Sequence, residues 1–130
     1  MTLLPFIITF QFTFVSVSHY YPDPRQCQGD PTITADGSKI DTVALRNGTL
    51  KWCALSRDMI WCEHRQTLTK DTTVWRGKYR FGDSIYVSGL GWYEVRDAMN
   101  ARWKQKVDIL SYTRVGMTES AIVELQIKTK

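Results

Sequence analysis

No run of eleven or more residues in this chain keeps an apolar stripe at helical spacing. What recurs instead is a short extended run closed by turn formers: "FVSVSHY" at 14–20, "TLKWCALS" at 49–56, "SIYVSGL" at 84–90, "WYEVRDA" at 92–98, "KVDILSY" at 106–112 and "AIVELQI" at 121–127. Six short strands with no long helix to cover a sheet predict an all-β fold. A closed barrel is expected rather than a sandwich, because closure removes the edge strands that a small sheet would expose. Only "MNARWKQ" and "VGMTES" read as short helical turns.

At 130 residues and 15.1 kDa the chain suits one domain with a real core. All four prolines lie at or before position 31, and "YYPDPRQCQGDPTITADGSK" reads as a long loop after the first strand. A second, polar loop is expected over 63–80, where a binding groove would be shaped. No internal repeat or low-complexity tract is present.

Residues 1–14 have two readings, and residues 15–130 form the expected domain. The uncharged run from Thr2 to Ser18 ends in small residues, like the apolar core and cleavage zone of a secretory signal, but lacks a Lys or Arg after Met1. Phe10, Phe12 and Phe14 alternate with Gln11 and Thr13, as a strand would. Export, to the periplasm or the medium, is the expectation; carriage on a phage particle is the alternative. A membrane-spanning helix is not expected, because the run is short, contains Pro5 and turns polar by Ser16.

Seventeen Lys and Arg against thirteen Asp and Glu give +4 and a pI near 9.1, which favours an anionic partner. The basic residues are scattered singly, which argues against nucleic acid and leaves a cell-wall polymer or a membrane surface. Oligomeric state is left open. Five Trp and six Tyr suit a carbohydrate surface as well as a core; Trp52, inside a strand, is expected in the core. Cys27, Cys53 and Cys62 allow either one disulfide with one free thiol or three thiols, and their spacing does not choose a pairing. No metal is expected, since Cys62 and His64 make a single close pair with no second at ligand spacing. His19 and His64 read as ordinary surface residues, and "LSRD" is no nucleophile elbow. The sequon Asn47-Gly48-Thr49 would matter only after eukaryotic secretion, of which there is no other sign.

Three aspartates stand out. Asp58 follows "WCALSR", Asp97 closes "WYEVR", and Asp108 interrupts "KVDIL", each where a strand prefers apolar or β-branched residues. Each has an arginine at hand, Arg57, Arg96 or Arg102, with which it could simply pair. A barrel that brings strand ends together would instead cluster all three.

At these positions the sequence resembles the Asp-Asp-Asp domain, also called the 3D domain, a double-psi β-barrel found in membrane-bound lytic transglycosylase A and in small secreted cell-wall proteins. The matching features are Asp58, the turn Gly82-Asp83, the strand ending Gly89-Leu90-Gly91, then Asp97 and, eleven residues on, Asp108. The resemblance runs from about Val15 to Ile127. It departs where the family carries glycines between its second and third Asp: this chain has Ala98-Met99-Asn100 and Arg102-Trp103-Lys104, closer to small secreted or phage-encoded Bacteroidetes proteins. Bulky residues there are expected to narrow or reshape the groove.

The resemblance implies a six-stranded double-psi β-barrel with short helical turns, acting on the β-1,4 glycan strands of peptidoglycan as a lytic transglycosylase, without cofactor or metal. One carboxyl group acts first as acid and then as base. The family's third Asp holds that role, which points to Asp108, with Asp97 and Asp58 as its charged neighbours. Trp75, Trp92, Trp103 and Asn100 are the expected substrate-binding residues. A non-catalytic wall-binding or virion-associated barrel is the alternative, followed by a two-carboxylate hydrolase with its acid and base about 6.5 to 9.5 Å apart.

Overall fold

Each of the six runs picked out by alternation falls on a strand. The computed structural model describes residues 14–21, 30–65, 72–112 and 118–128, with 64, 65 and 118–128 as backbone. The elements are β1 (Phe14–Tyr20), α1 (Thr42–Arg46), β2 (Trp52–Leu55), a 3-10 turn (Arg57–Met59), β3 (Trp61–Arg65), β4 (Thr72–Arg76), β5 (Ser84–Val87), β6 (Gly91–Ala98), β7 (Lys106–Leu110) and β8 (Thr118–Lys128). The class is all-β. Six strands hydrogen-bond in the closed order β1-β7-β2-β6-β5-β8, while β3 and β4 pair separately. β1 with β7 and β2 with β6 are parallel; the other barrel ladders are antiparallel.

Alternation sorts the side chains. Val15, Val17, Cys53, Leu55, Ile85, Val87, Val95, Val107 and Ile109 point inward and form one buried cluster. Each such aliphatic chain withdrawn from water contributes roughly 1.5–3 kcal/mol. On the outer face of β1, β7 and β2 a smaller cluster gathers Ile40, Leu45 and Leu110, with Tyr20, Leu50 and Trp52 against it. Trp52 is therefore half-buried outside the barrel, not in its core. α1 starts there because Asp41 accepts from the amides of Val43 and Ala44, at 3.0 and 3.1 Å, and so caps the helix.

Two further expectations fail. The 63–80 stretch is not a single loop: its described part holds the end of β3 and all of β4. Thr72, Thr73, Val74 and Trp75 are β-formers that alternate between exposed and half-buried, and they pair with residues 62–65. The helical turns also lie elsewhere, at Thr42–Arg46 and Arg57–Met59, whereas 99–105 is irregular and Thr118 already begins β8. Residues 1–13, 22–29, 66–71, 113–117 and 129–130, with Cys27, the signal-like segment and much of the proline-rich loop, lie outside the described residues. Among the described residues, no helix is long and apolar enough to cross a membrane.

The β3–β4 hairpin is anchored at its base. The amide of Gly77 donates to Ile60 O at 2.9 Å and that of Tyr79 to Met59 O at 3.0 Å. A Cβ on Gly77 would overlap the carbonyl carbon of Met59, so only glycine fits this approach. Beyond the hairpin, Gly82 takes φ +94° in the turn before β5 and donates to Val95 O at 2.7 Å, tying that turn to β6.

Candidate functional site

Four outward-facing residues form one row across four strands. Ser18 of β1 is paired with Asp108 of β7, Asp108 with Ala54 of β2, and Ala54 with Asp97 of β6. With adjacent strands about 4.8 Å apart, the two aspartate Cα atoms stand roughly 10 Å from each other across the alanine methyl. β6 reaches this register through an irregularity: Cys53 pairs with Val95, but Ala54 pairs with Asp97, so Arg96 is the extra residue of a bulge. Strict alternation would have put Asp97 on the same side as the fully buried Val95. The bulge turns it outward, the kind of re-aiming that bulges perform beside functional sites.

Asp97 and Asp108 line one cavity of about 220 Å³, with Tyr20, Ala54, Met99, Asn100 and Trp103 among its other walls. Burial and, to a lesser degree, the charge of Asp97 push the Asp108 carboxyl up to about 6. Ser18 Oγ donates to Asp108 Oδ1 at 2.8 Å, and that bond and the Lys106 ammonium oppose the rise without cancelling it. Burial also raises Asp97. Three donors favour its charged form nonetheless: the amides of Ala35 (2.8 Å) and Ala98 (2.9 Å) to Oδ1, and the Tyr20 hydroxyl (3.1 Å) to Oδ2. Tyr20 itself, half-buried and hydrogen-bonded to Asp97, is raised well above its usual range by burial and by the charges of Asp97 and Asp108, and stays a donor. The environments thus differ for two like residues: Asp97, raised by burial, accepts three hydrogen bonds, while Asp108 is pushed up to about 6.

The 30s loop that supplies the Ala35 amide is itself fastened to β6. Arg96 Nη1 meets Asp36 Oδ2 at 3.2 Å, and its Nε and Nη2 donate to Glu94 Oε2 at 3.1 and 3.0 Å. The bulge residue therefore positions the loop that holds Asp97.

The third aspartate does not join the pair. Asp58 lies exposed in the 3-10 turn, does not line the cavity, and accepts the Gln105 amide at 3.1 Å. Gln105 has φ +46°, a left-handed conformation that costs a non-glycine residue about 1 to 2 kcal/mol. Asp58 holds that strained corner, from which the chain enters β7. The expected arginine pairs are also not formed among the described residues. Arg96 serves Asp36 and Glu94, Arg57 donates to Met99 O at 3.0 Å, and Arg102 lies over the Trp103 ring.

Of the aromatic residues, Trp103 and its neighbour Asn100 line the aspartate cavity. The Trp103 ring is already met by the Lys106 ammonium, 3.7 Å from its centroid, and by the Arg102 guanidinium at 4.9 Å. Trp75 packs against the barrel core under Arg57, and exposed Trp92 lines a different groove beside Trp52. Met99, where the resembled family has a glycine, is buried and forms part of the cavity wall. His19, expected at the surface, is buried on β1 because strand alternation carries it into the sheet. Cys53 and Cys62 are free thiols, and burial pushes the Cys53 thiol far up, leaving it inert. Among the described residues, no three His, Cys, Asp or Glu side chains gather as a metal-ligand set.

Tyr20, Ser18 and Ala54 escaped the sequence reading. Their only signal was alternation, since Ser16, Ser18 and Tyr20 share a face of one run; which strands lie beside that face is a long-range matter. Compared with known proteins, the sequence matches no family model and no curated protein.

Proposed function

We propose that this protein cleaves the β-1,4 glycan strands of peptidoglycan by lytic transglycosylation, with Asp108 as the acid and base. The observation that carries this reading is a half-buried carboxyl raised to about 6, lining the same cavity as a second, hydrogen-bonded aspartate. Protonated Asp108 would give its proton to the glycosidic oxygen as the bond to the anomeric carbon breaks. The resulting carboxylate would then take the proton of the sugar's own 6-hydroxyl as that oxygen closes on the anomeric carbon, leaving a 1,6-anhydro end. Asp97, as an anion, would stabilise the positive charge that develops at the ring. Two parallel ladders within an otherwise antiparallel closed order support the further reading of a double-psi barrel of the 3D type. On this reading the protein works outside the cytoplasm or on a phage particle.

A second reading is favoured by the row Asp108-Ala54-Asp97: two carboxyl groups separated by one strand leave room for a water between them, as in an inverting hydrolase. Incubation with intact sacculi, followed by mass analysis of the soluble fragments, separates the readings. Transglycosylation releases anhydro-ended muropeptides; hydrolysis releases fragments heavier by one water. If no fragments appear while the protein pellets with the sacculi, the molecule is a wall-binding module.

A further inference from the structure

A second and larger cavity, about 370 Å³, opens where β1 and β7 end and β2 and β6 begin, at one mouth of the barrel. Barrel mouths are a common place for ligand sites. Leu45, Leu50 and Leu110 give it an apolar floor, and Gly48 adds no side chain to fill it. Its charge comes from two exposed cations. The Arg46 guanidinium lies 5.1 Å over the Tyr112 ring, and the Lys51 ammonium 5.6 Å over Tyr93. Neither is in an ion pair among the described residues, and nearby Glu94 is occupied by Arg96. A cation resting on an aromatic face keeps donors free on its other side. Two such cations above an aliphatic floor suit a carboxylate carried on a short apolar body.

The two cavities share a wall. Tyr20, which lines the aspartate cavity, is paired across the ladder with Leu110, which lines this one. Leu110 lies two residues beyond Asp108 on the same face of β7, a step of about 7 Å. A polymer seated at the aspartates could therefore lay an acidic side branch in the mouth. We infer that this cleft binds the carboxylate of a peptide branch of the wall polymer. The inference rests on the glycan-cleaving reading above for the choice of polymer.

The test is calorimetric titration of the whole protein, at low salt, with N-acetylmuramyl-L-alanyl-D-isoglutamine and with the same molecule carrying a carboxamide in place of its free carboxylate. The acid should bind about tenfold more tightly than the amide, the scale of a hydrogen-bonded charge. Lys51→Met and Arg46→Gln should each shrink that preference, with unchanged thermal unfolding showing that the fold is intact, and Asp108→Asn should leave it in place. Equal affinity for acid and amide, or a preference that survives both cation substitutions, overturns the inference. Inorganic phosphate that competes as well as the acid overturns it too, since the cleft would then be a general anion site. Should sacculi remain uncut while the preference persists, the cleft stands and only the catalytic reading falls; sacculi cut by a protein without the preference give the reverse.

Discussion

Asp97 and Asp108 face the same cavity from opposite sides of Ala54, each paired with that alanine through a different ladder. The small side chain between them decides whether there is a site at all. Ala54 is only 3% exposed, so nothing larger fits without displacing a carboxyl group. We expect Ala54→Leu to abolish cleavage of sacculi at a stability cost of about 1–3 kcal/mol from overpacking. Full activity in a folded Ala54→Leu protein would place the chemistry elsewhere.

Asp108→Asn keeps the shape of the side chain and an oxygen for Ser18 Oγ to donate to, but it cannot give or take the proton. Release of muropeptides should fall at least about 100-fold, the usual worth of a positioned acid or base. Turnover undiminished in this variant would remove Asp108 from the reaction.

The raised Asp108 carboxyl also predicts a pH dependence of stability. Its folded pKa, about 6, lies above the ordinary value of 3.8, so the folded protein holds this proton more tightly than the unfolded chain does. The stabilisation is complete below pH 3.8 and is lost as pH rises through about 6. Urea unfolding should therefore show wild type losing on the order of 2 kcal/mol relative to Asp108→Asn between pH 4 and pH 7.5. A difference that stays constant over that range contradicts the assignment. Cleavage should follow the same titration and weaken as pH rises through 6.

Arg96 reaches Asp97 indirectly, through Asp36 and the Ala35 amide. Arg96→Met should cost less than about 1 kcal/mol in stability, because the ion pair is partly exposed. Its mark should instead be local: faster hydrogen exchange at the Ala35 amide, which loses its fastening to Asp97, together with slower cleavage. Unchanged exchange at Ala35 would mean that the loop holds its place without the arginine.

Gly77 and Gly48 offer a contrast. Gly48 has φ +76° and open space around it, so Gly48→Ala should cost only the 1 to 2 kcal/mol (roughly) of a left-handed backbone. Gly77→Ala drives a methyl into the Met59 backbone and should cost more than that, at least about 2 kcal/mol, by chemical denaturation. Equal losses at the two positions would mean that the hairpin base gives way easily.

Six of the strands were legible without a structure, because alternation is a local property: a residue two places along faces the same side whatever the rest of the chain does. Which side faces the core was not, since Trp52, expected inside, lies in the outer cluster. Alternation is why "KVDIL" sets Asp108 on the face opposite Val107 and Ile109. Thr72–Arg76 was misread because its polar threonines hid a β-forming run. What the chain alone could not decide was the side on which Asp97 emerges, the company that Ser18, Tyr20 and Ala54 keep, and the exclusion of Asp58. Those depend on which distant strands pair and in what register. One extra residue at Arg96 reverses a face, and no local pattern records it, since the bulge exists only relative to the partner strand β2.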